Sequence, residues 1–310
     1  MSSIVELQNV RRTFGDVVAV DGLSLDLRAG EILGLYGPSG SGKTTTIRLM
    51  LGVYLPTSGS VRILGVSSQQ LGARQRQQIG YGPQQFIYPP TFTAQEAVGF
   101  AAGLYGLGWR RGPRAVHSVL ERVNLWDKRG RRVADMSGGE RRRVTNAAAM
   151  VHQPQIIFLD EPTSGLDPIL RSKIWGWFRE LRDEGRTFLI TGHYMEEAEA
   201  CDRVALLVDG KLAALGTPLE LRRQALGGEI IDVRVSSSLE TTLDALKEEP
   251  LVKRVRVQGP GRIWVTVPEA GTAVPVVLER LHAANVAVDA ASEFHPPFDV
   301  IFEELVGRRV

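Results

Sequence analysis

The sequence predicts an α/β fold with a largely parallel sheet over its first two thirds and a smaller α+β module over the rest. Three observations lead there. Short apolar runs alternate with longer helical patterns up to about residue 218. Three of those runs, at 32–36, 156–159 and 188–190, end in polar residues, at the edge where open α/β sheets bind ligands. Beyond the turn-forming Leu215-Gly216-Thr217-Pro218 the periods change to strand, helix, strand, strand, helix, strand. These features predict two domains, 1–218 and 219–310.

Composition agrees with this division. The 310 residues suit about two domains. With 43% apolar and 23% charged residues the chain is ordinary globular material, not a disordered one. Residues 1–218 hold 26 basic and 21 acidic side chains, whereas 219–310 hold 11 and 14. The net +2 is too near neutral to imply nucleic-acid binding by charge. The single cysteine, Cys201, excludes an internal disulfide. No stretch approaches the roughly 20 apolar residues of a membrane span. Glu6, Arg11, Arg12 and Asp16 exclude a secretory signal. A soluble, cytoplasmic protein is expected.

In order along the chain, Ile32-Leu33-Gly34-Leu35-Tyr36 is a strand leading into a glycine-rich turn and a helix. A helical subdomain spans about 88–152, one of its helices opening on the capping-box sequence Thr93-Ala94-Gln95-Glu96. The strand Ile156-Ile157-Phe158-Leu159 ends at two carboxylates, and Phe188-Leu189-Ile190 ends at Thr191-Gly192-His193. After the seam, 230–235 alternates as a strand, and Leu239, Leu243 and Leu246 follow at helical spacing. Val255/Val257 and Ile263/Val265/Val267 predict strands around Gly259-Pro260-Gly261. Val274, Val277, Leu278 and Leu281 return to helical spacing, and Val286/Val288 begin a last strand. That βαββαβ order is ferredoxin-like. Phe298, Ile301, Phe302 and Leu305 predict a closing amphipathic helix.

The chemistry begins at Gly37-Pro38-Ser39-Gly40-Ser41-Gly42-Lys43-Thr44, which fits the phosphate-loop pattern G-x-x-x-x-G-K-[ST]. Its glycines let backbone N–H groups face a phosphate, and the helix continuing through Thr45 adds its positive end. Lys43 reaches the β- and γ-phosphates of a nucleotide, and Thr44 supplies a hydroxyl to Mg2+. Asp160, at a strand end beside such a loop, stands where a Mg2+ ligand belongs; the adjacent Glu161 can polarise a water against the γ-phosphate. Ser137-Gly138-Gly139-Glu140 opens a predicted helix and forms a second anion site, or a plain cap if taken alone.

Phosphate loop, Ser-Gly-Gly segment, Leu159-Asp160-Glu161-Pro162-Thr163, Ser164-Gly165-Leu166-Asp167 and His193 occur in one order. Together they resemble the nucleotide-binding subunit of an ATP-binding-cassette (ABC) transporter over essentially the whole of 1–218. Thr191-Gly192-His193-Tyr194-Met195-Glu196-Glu197-Ala198-Glu199 is similar to the ATPases of drug and antibiotic exporters of the ABC-2 type, daunorubicin-resistance-like. The resemblance implies a P-loop NTPase domain, ATP and Mg2+ as cofactors, and the accessory domain often found behind such exporters.

Residue by residue, the resemblance makes Phe14 the aromatic that stacks on adenine, strand core being the other reading. Gln84 resembles the glutamine that touches Mg2+ and the attacking water, which adds it to Thr44 and Asp160 as a metal ligand. Asp167 resembles the loop aspartate that crosses to a second subunit, and His193 the histidine that contacts the γ-phosphate. The usual leucine and glutamine of the Ser-Gly-Gly motif are Met136 and Glu140 here. The added charge of Glu140 lies near the phosphates, unless Arg141, Arg142 or Arg143 neutralises it.

The implied machine is a homodimer in which each Ser-Gly-Gly segment caps the ATP of the opposite subunit. It works on the cytoplasmic face of the membrane with a separate integral-membrane permease, and no nucleic acid is involved. Phe86 and Ile87 sit where the permease docks, or are core between lobes. The alternative is a soluble ABC ATPase acting on ribosomes or DNA. A single cassette without heptad runs disfavours it. The second domain, lacking any motif, is expected to stabilise the dimer or tune hydrolysis.

Overall fold

A computed structural model of the protein describes residues 3–307. The chain opens on two long antiparallel strands, β1 (Ser3–Phe14) and β2 (Val17–Arg28), which the sequence pattern did not announce. The reason is local: register shifts between Leu7 and Val10 and again before Arg12 interrupt the period of two. Val5, Leu7 and Val10 are nonetheless all buried. Next come β3 (Ile32–Tyr36), the helix α1 (Lys43–Met50), and the strands β4 (Ser58–Ile63) and β5 (Val66–Ser67). The four outer strands form a sheet in the order β2-β1-β4-β5.

A short helix α2 (Ala73–Arg76) and the strand β6 (Ile79–Gly82) lead to three helices, α3 (Ala94–Leu104), α4 (Gly112–Arg122) and α5 (Gly138–Met150). The predicted box caps α3: Thr93 and Glu96 exchange hydrogen bonds with each other's backbone N–H. Then follow β7 (Ile156–Asp160), α6 (Pro168–Asp183), β8 (Thr187–Gly192), β9 (Arg203–Val208) and β10 (Lys211–Gly216). The second sheet runs β10-β9-β3-β8-β7-β6, with β3, β6, β7, β8 and β9 paired in parallel. β3, β7 and β8 are buried throughout, as covered parallel strands must be. Leu33, Leu35, Ile47, Phe158 and Leu189 join Val5, Leu7 and Leu25 in one core, so the two sheets share it.

Register places the strand ends. Tyr36 stands opposite Gly192, and Asp160 opposite Thr191. The loops that leave β3, β7 and β8 therefore start at one level. The fully buried Tyr36 ring needs Gly192 as its neighbour, because a Cβ there would lie 2.7 Å from the ring.

The chain divides into two compact units between Leu215 and Gly216. In the second, Thr217 caps α7 (Pro218–Leu226) with Glu220. The unit continues β11 (Glu229–Val235), α8 (Leu239–Lys247), β12 (Arg254–Gly259), β13 (Arg262–Val267), α9 (Ala270–Ala283), β14 (Val288–Phe294) and α10 (Phe298–Gly307). Its sheet runs β12-β13-β11-β14 with antiparallel pairs, the ferredoxin-like order. The last strand begins at Val288, and Val286 is buried ahead of it. Ile231, Val233, Leu246, Val265, Val277 and Leu281 form this unit's own core. No helix among the described residues is long and apolar enough to cross a membrane.

Just beyond α5, the His152 ring stacks on Tyr105 with centroids 3.4 Å apart, and its Nε2 bonds the Ile79 carbonyl at 3.1 Å. Burial pulls its pKa down to about 4, so the folded protein keeps it neutral where the unfolded chain protonates it. The unfolded state then binds more protons between pH 6.5 and 4, and acid costs stability across that window. His152→Gln retains a donor for Ile79 but does not titrate. Thermal midpoints measured from pH 7 to 4 are expected to fall less in this variant than in the wild type.

Candidate functional site

The loop from β3 into α1 is shaped to receive an anion. Gly42 takes φ 98° at the N-cap of α1, with no side chain capping the helix and no acid in its first turn. The first-turn amides are left for a ligand. Any Cβ at Gly42 would sit 2.4 Å from the Ala19 carbonyl oxygen, so only glycine fits. Ser39, Gly40, Gly42, Lys43, Thr44 and Thr45 line a cavity of 260 Å3 together with Gln84, Glu161 and His193. Gly37, Pro38 and Ser41 stand behind it: the Gly37 and Pro38 carbonyls accept from Lys43 Nζ at 2.8 and 2.9 Å, and Ser41 is buried. Burial lowers the Lys43 pKa, while Glu161 and Asp160 act to raise it.

Opposite the loop, Asp160 ends β7 with its carboxylate divided between two hydroxyls. Thr44 Oγ1 donates to one oxygen at 2.8 Å, and Thr191 Oγ1 donates to the other at 2.6 Å. Thr191 also accepts the Glu161 N–H at 3.0 Å. Glu161 itself adopts φ 55°, a left-handed conformation costly for a glutamate. Its carboxylate pairs with His193 Nε2. Hard oxygen donors from Thr44 and Asp160 beside an open anion cradle suit a hard divalent cation held jointly with phosphate.

The other predicted residues lie outside this cavity. Ser137 caps α5 and exchanges hydrogen bonds with Glu140 at 2.8 and 3.2 Å, with Gly138 and Gly139 forming the first turn. Glu140 is neutralised from an unexpected side: Lys128 donates to it at 2.7 Å and Arg131 stands 3.5 Å away. These partners, Lys128 first, hold its carboxyl down to about 2. The neighbouring arginines do other work, because successive helix positions diverge by about 100°. Arg141 is exposed, Arg142 reaches the Pro83 and Gln84 carbonyls, and Arg143 reaches those of Val123 and Asn124. Asp167 caps α6, accepting from the Ile169 and Leu170 N–H groups at 3.0 Å each. Phe14, at the end of β1, is 40% exposed and so not strand core. The Arg12 guanidinium lies 4.4 Å from its ring centre and the Tyr54 ring abuts it edge-on.

The ABC transporter family model matches residues 20–164. The Nod factor export ATP-binding protein I of Cupriavidus metallidurans is 36% identical over 260 residues, covering 84% of this chain and 85% of that protein. The chain belongs to the ABC transporter ATP-binding proteins. The linearmycin resistance ATP-binding protein of Bacillus subtilis is 32% identical over 307 residues, 98% of this chain and 99% of its own. A dimeric bacterial ABC transporter cassette matches in structure with a TM-score of 0.65 and 28% identity, over 69% of this chain and 98% of that one. This is an ATP-hydrolysing cassette of the ABC family.

The sequence places Thr191 at a strand end two residues before His193 but gives it no role; only the pairing of β7 with β8 brings it to Asp160. Thr191→Val is expected to lower kcat for ATP by about ten- to a hundredfold, because its hydrogen bond to the Asp160 carboxylate is worth about 1.5–3 kcal/mol. Steady-state phosphate release measures it. Lys128→Met, which leaves Glu140 short of a counter-charge, is expected to cost about 1 kcal/mol of stability. In a Glu140→Gln background that cost should vanish in thermal unfolding.

Proposed function

We propose that this chain is the energy-converting subunit of an ABC exporter, acting as a homodimer with a separate ABC-2-type permease on the cytoplasmic face of the membrane. The observation that carries the proposal is the meeting of Lys43, Thr44, Gln84, Glu161 and His193 around one cavity. The relatives' names support export, one naming Nod factor export and another linearmycin resistance. The reading therefore stops at export.

ATP lies with its phosphates on the amides of Gly40 to Thr45 and its γ-phosphate toward Lys43 and His193. Phe14 offers a partly exposed ring to the adenine. Thr44, Asp160 and Gln84 would hold Mg2+, which when bound neutralises charge between the β- and γ-phosphates. Glu161 is the general base. In the resting chain it is paired with His193. As His193 turns to the γ-phosphate, the freed carboxylate takes the proton of the attacking water.

Ser137, Gly138, Gly139, Glu140 and Asp167 lie off the cavity because they serve the partner copy's ATP. Asp167 is exposed, and Ile169 beside it is 71% exposed, leaving an apolar contact for that copy. For the permease, Ile87 is 67% exposed beyond Gln84 rather than packed as core. A largely apolar cavity of 470 Å3, lined by Leu51, Val53, Leu71, Ile79, Tyr81 and Leu104, opens beside the strand that leads to Gln84. A short amphipathic helix of the permease suits it.

Glu161→Gln is expected to abolish phosphate release, retain ATP binding and accumulate as an ATP-bound dimer by light scattering. Normal turnover in this variant would refute the assignment of the base. A dimer that never forms would refute the cycle.

A further inference from the structure

Arg142 belongs to none of the motifs above. From α5 its Nη1 donates to the Pro83 carbonyl at 2.9 Å and the Asp160 carbonyl at 3.3 Å, while Nη2 donates to the Gln84 carbonyl at 2.6 Å. One guanidinium thus joins three pieces of chain: the loop after β6, the end of β7 and the helix opened by Ser137. A planar fork fixes its donors in one rigid arrangement, whereas a lysine ammonium carries its three donors at the tip of a flexible stem. Burial lowers the Arg142 pKa, and the Glu161 and Asp160 carboxylates act to raise it.

We infer that Arg142 is a positioning residue for ATP hydrolysis. By gripping the Gln84 backbone against the Asp160–Glu161 junction, it sets the distance between the Gln84 side chain and the catalytic carboxylates. It also links the glutamine loop to the helix that begins with Ser137-Gly138-Gly139, so a displacement of either element is passed to the other. The inference rests on the reading of Gln84 as a working part of the site. An error of about 1 Å in such a placement costs up to about a hundredfold in rate.

Arg142→Lys keeps the charge and loses the fork. In the full-length chain we expect kcat to fall about tenfold, with KM for ATP changed less than about twofold and the thermal midpoint close to wild type. A double-mutant cycle with Gln84→Ala isolates the route. If Arg142 acts through Gln84, adding Arg142→Lys to Gln84→Ala changes kcat by less than about twofold. The inference is overturned if Arg142→Lys keeps wild-type kcat, if its loss tracks a loss of folded protein, or if the two losses multiply. Multiplying losses leave the role of Gln84 standing and remove only that of Arg142. Full kcat in Gln84→Ala overturns the reading of Gln84 and this inference with it.

Discussion

The parallel pairing of β7 with β8, and of β8 with β3, is the constraint on which the site depends. Parallel strands in register end together, so Asp160 meets Thr191 while Tyr36 lies level with Gly192. From that level the loop after Tyr36 sends Thr44 back to Asp160, and the turn after Gly192 carries His193 to Glu161. A slip of one residue in either pairing would turn every side chain of a strand to its other face and disperse the cluster. The apolar faces of the strands prevent the slip, because Phe158 and Leu189 are completely buried.

Charge in the site, and at Glu140 outside it, is held by partners from different elements. Asp160 has hydroxyls from α1 and β8, Glu161 has His193, and Glu140 has Lys128 and Arg131. Each arrangement offsets the cost of burying an ionised group. Each also ties elements together, so a change of partner at one group moves another. Glu161 combines a strained backbone with its pairing to His193.

Much of this was legible beforehand. The phosphate loop and the carboxylate pair stand out because their chemistry uses neighbouring residues. The ferredoxin-like order after the seam was visible because its strands keep a clean period. The hairpin of β1 and β2 was not, since its bulges break that period. The roles of Arg141, Arg142 and Arg143 were equally hidden, because a run of identical residues says nothing about which one faces inward.

By itself the sequence determined the local conformations: the glycines of the phosphate loop, the caps at Thr93 and Ser137, and the polar residues at the strand ends. These follow from backbone sterics and hydrogen bonds within a few residues. Only the tertiary structure decided which groups meet. Thr191 and Asp160 are 31 residues apart, Arg142 and Gln84 58, and Lys128 and Glu140 12. Such contacts depend on sheet register and on which side of a helix is buried, both settled by the packing of the whole core rather than by any local stretch of chain.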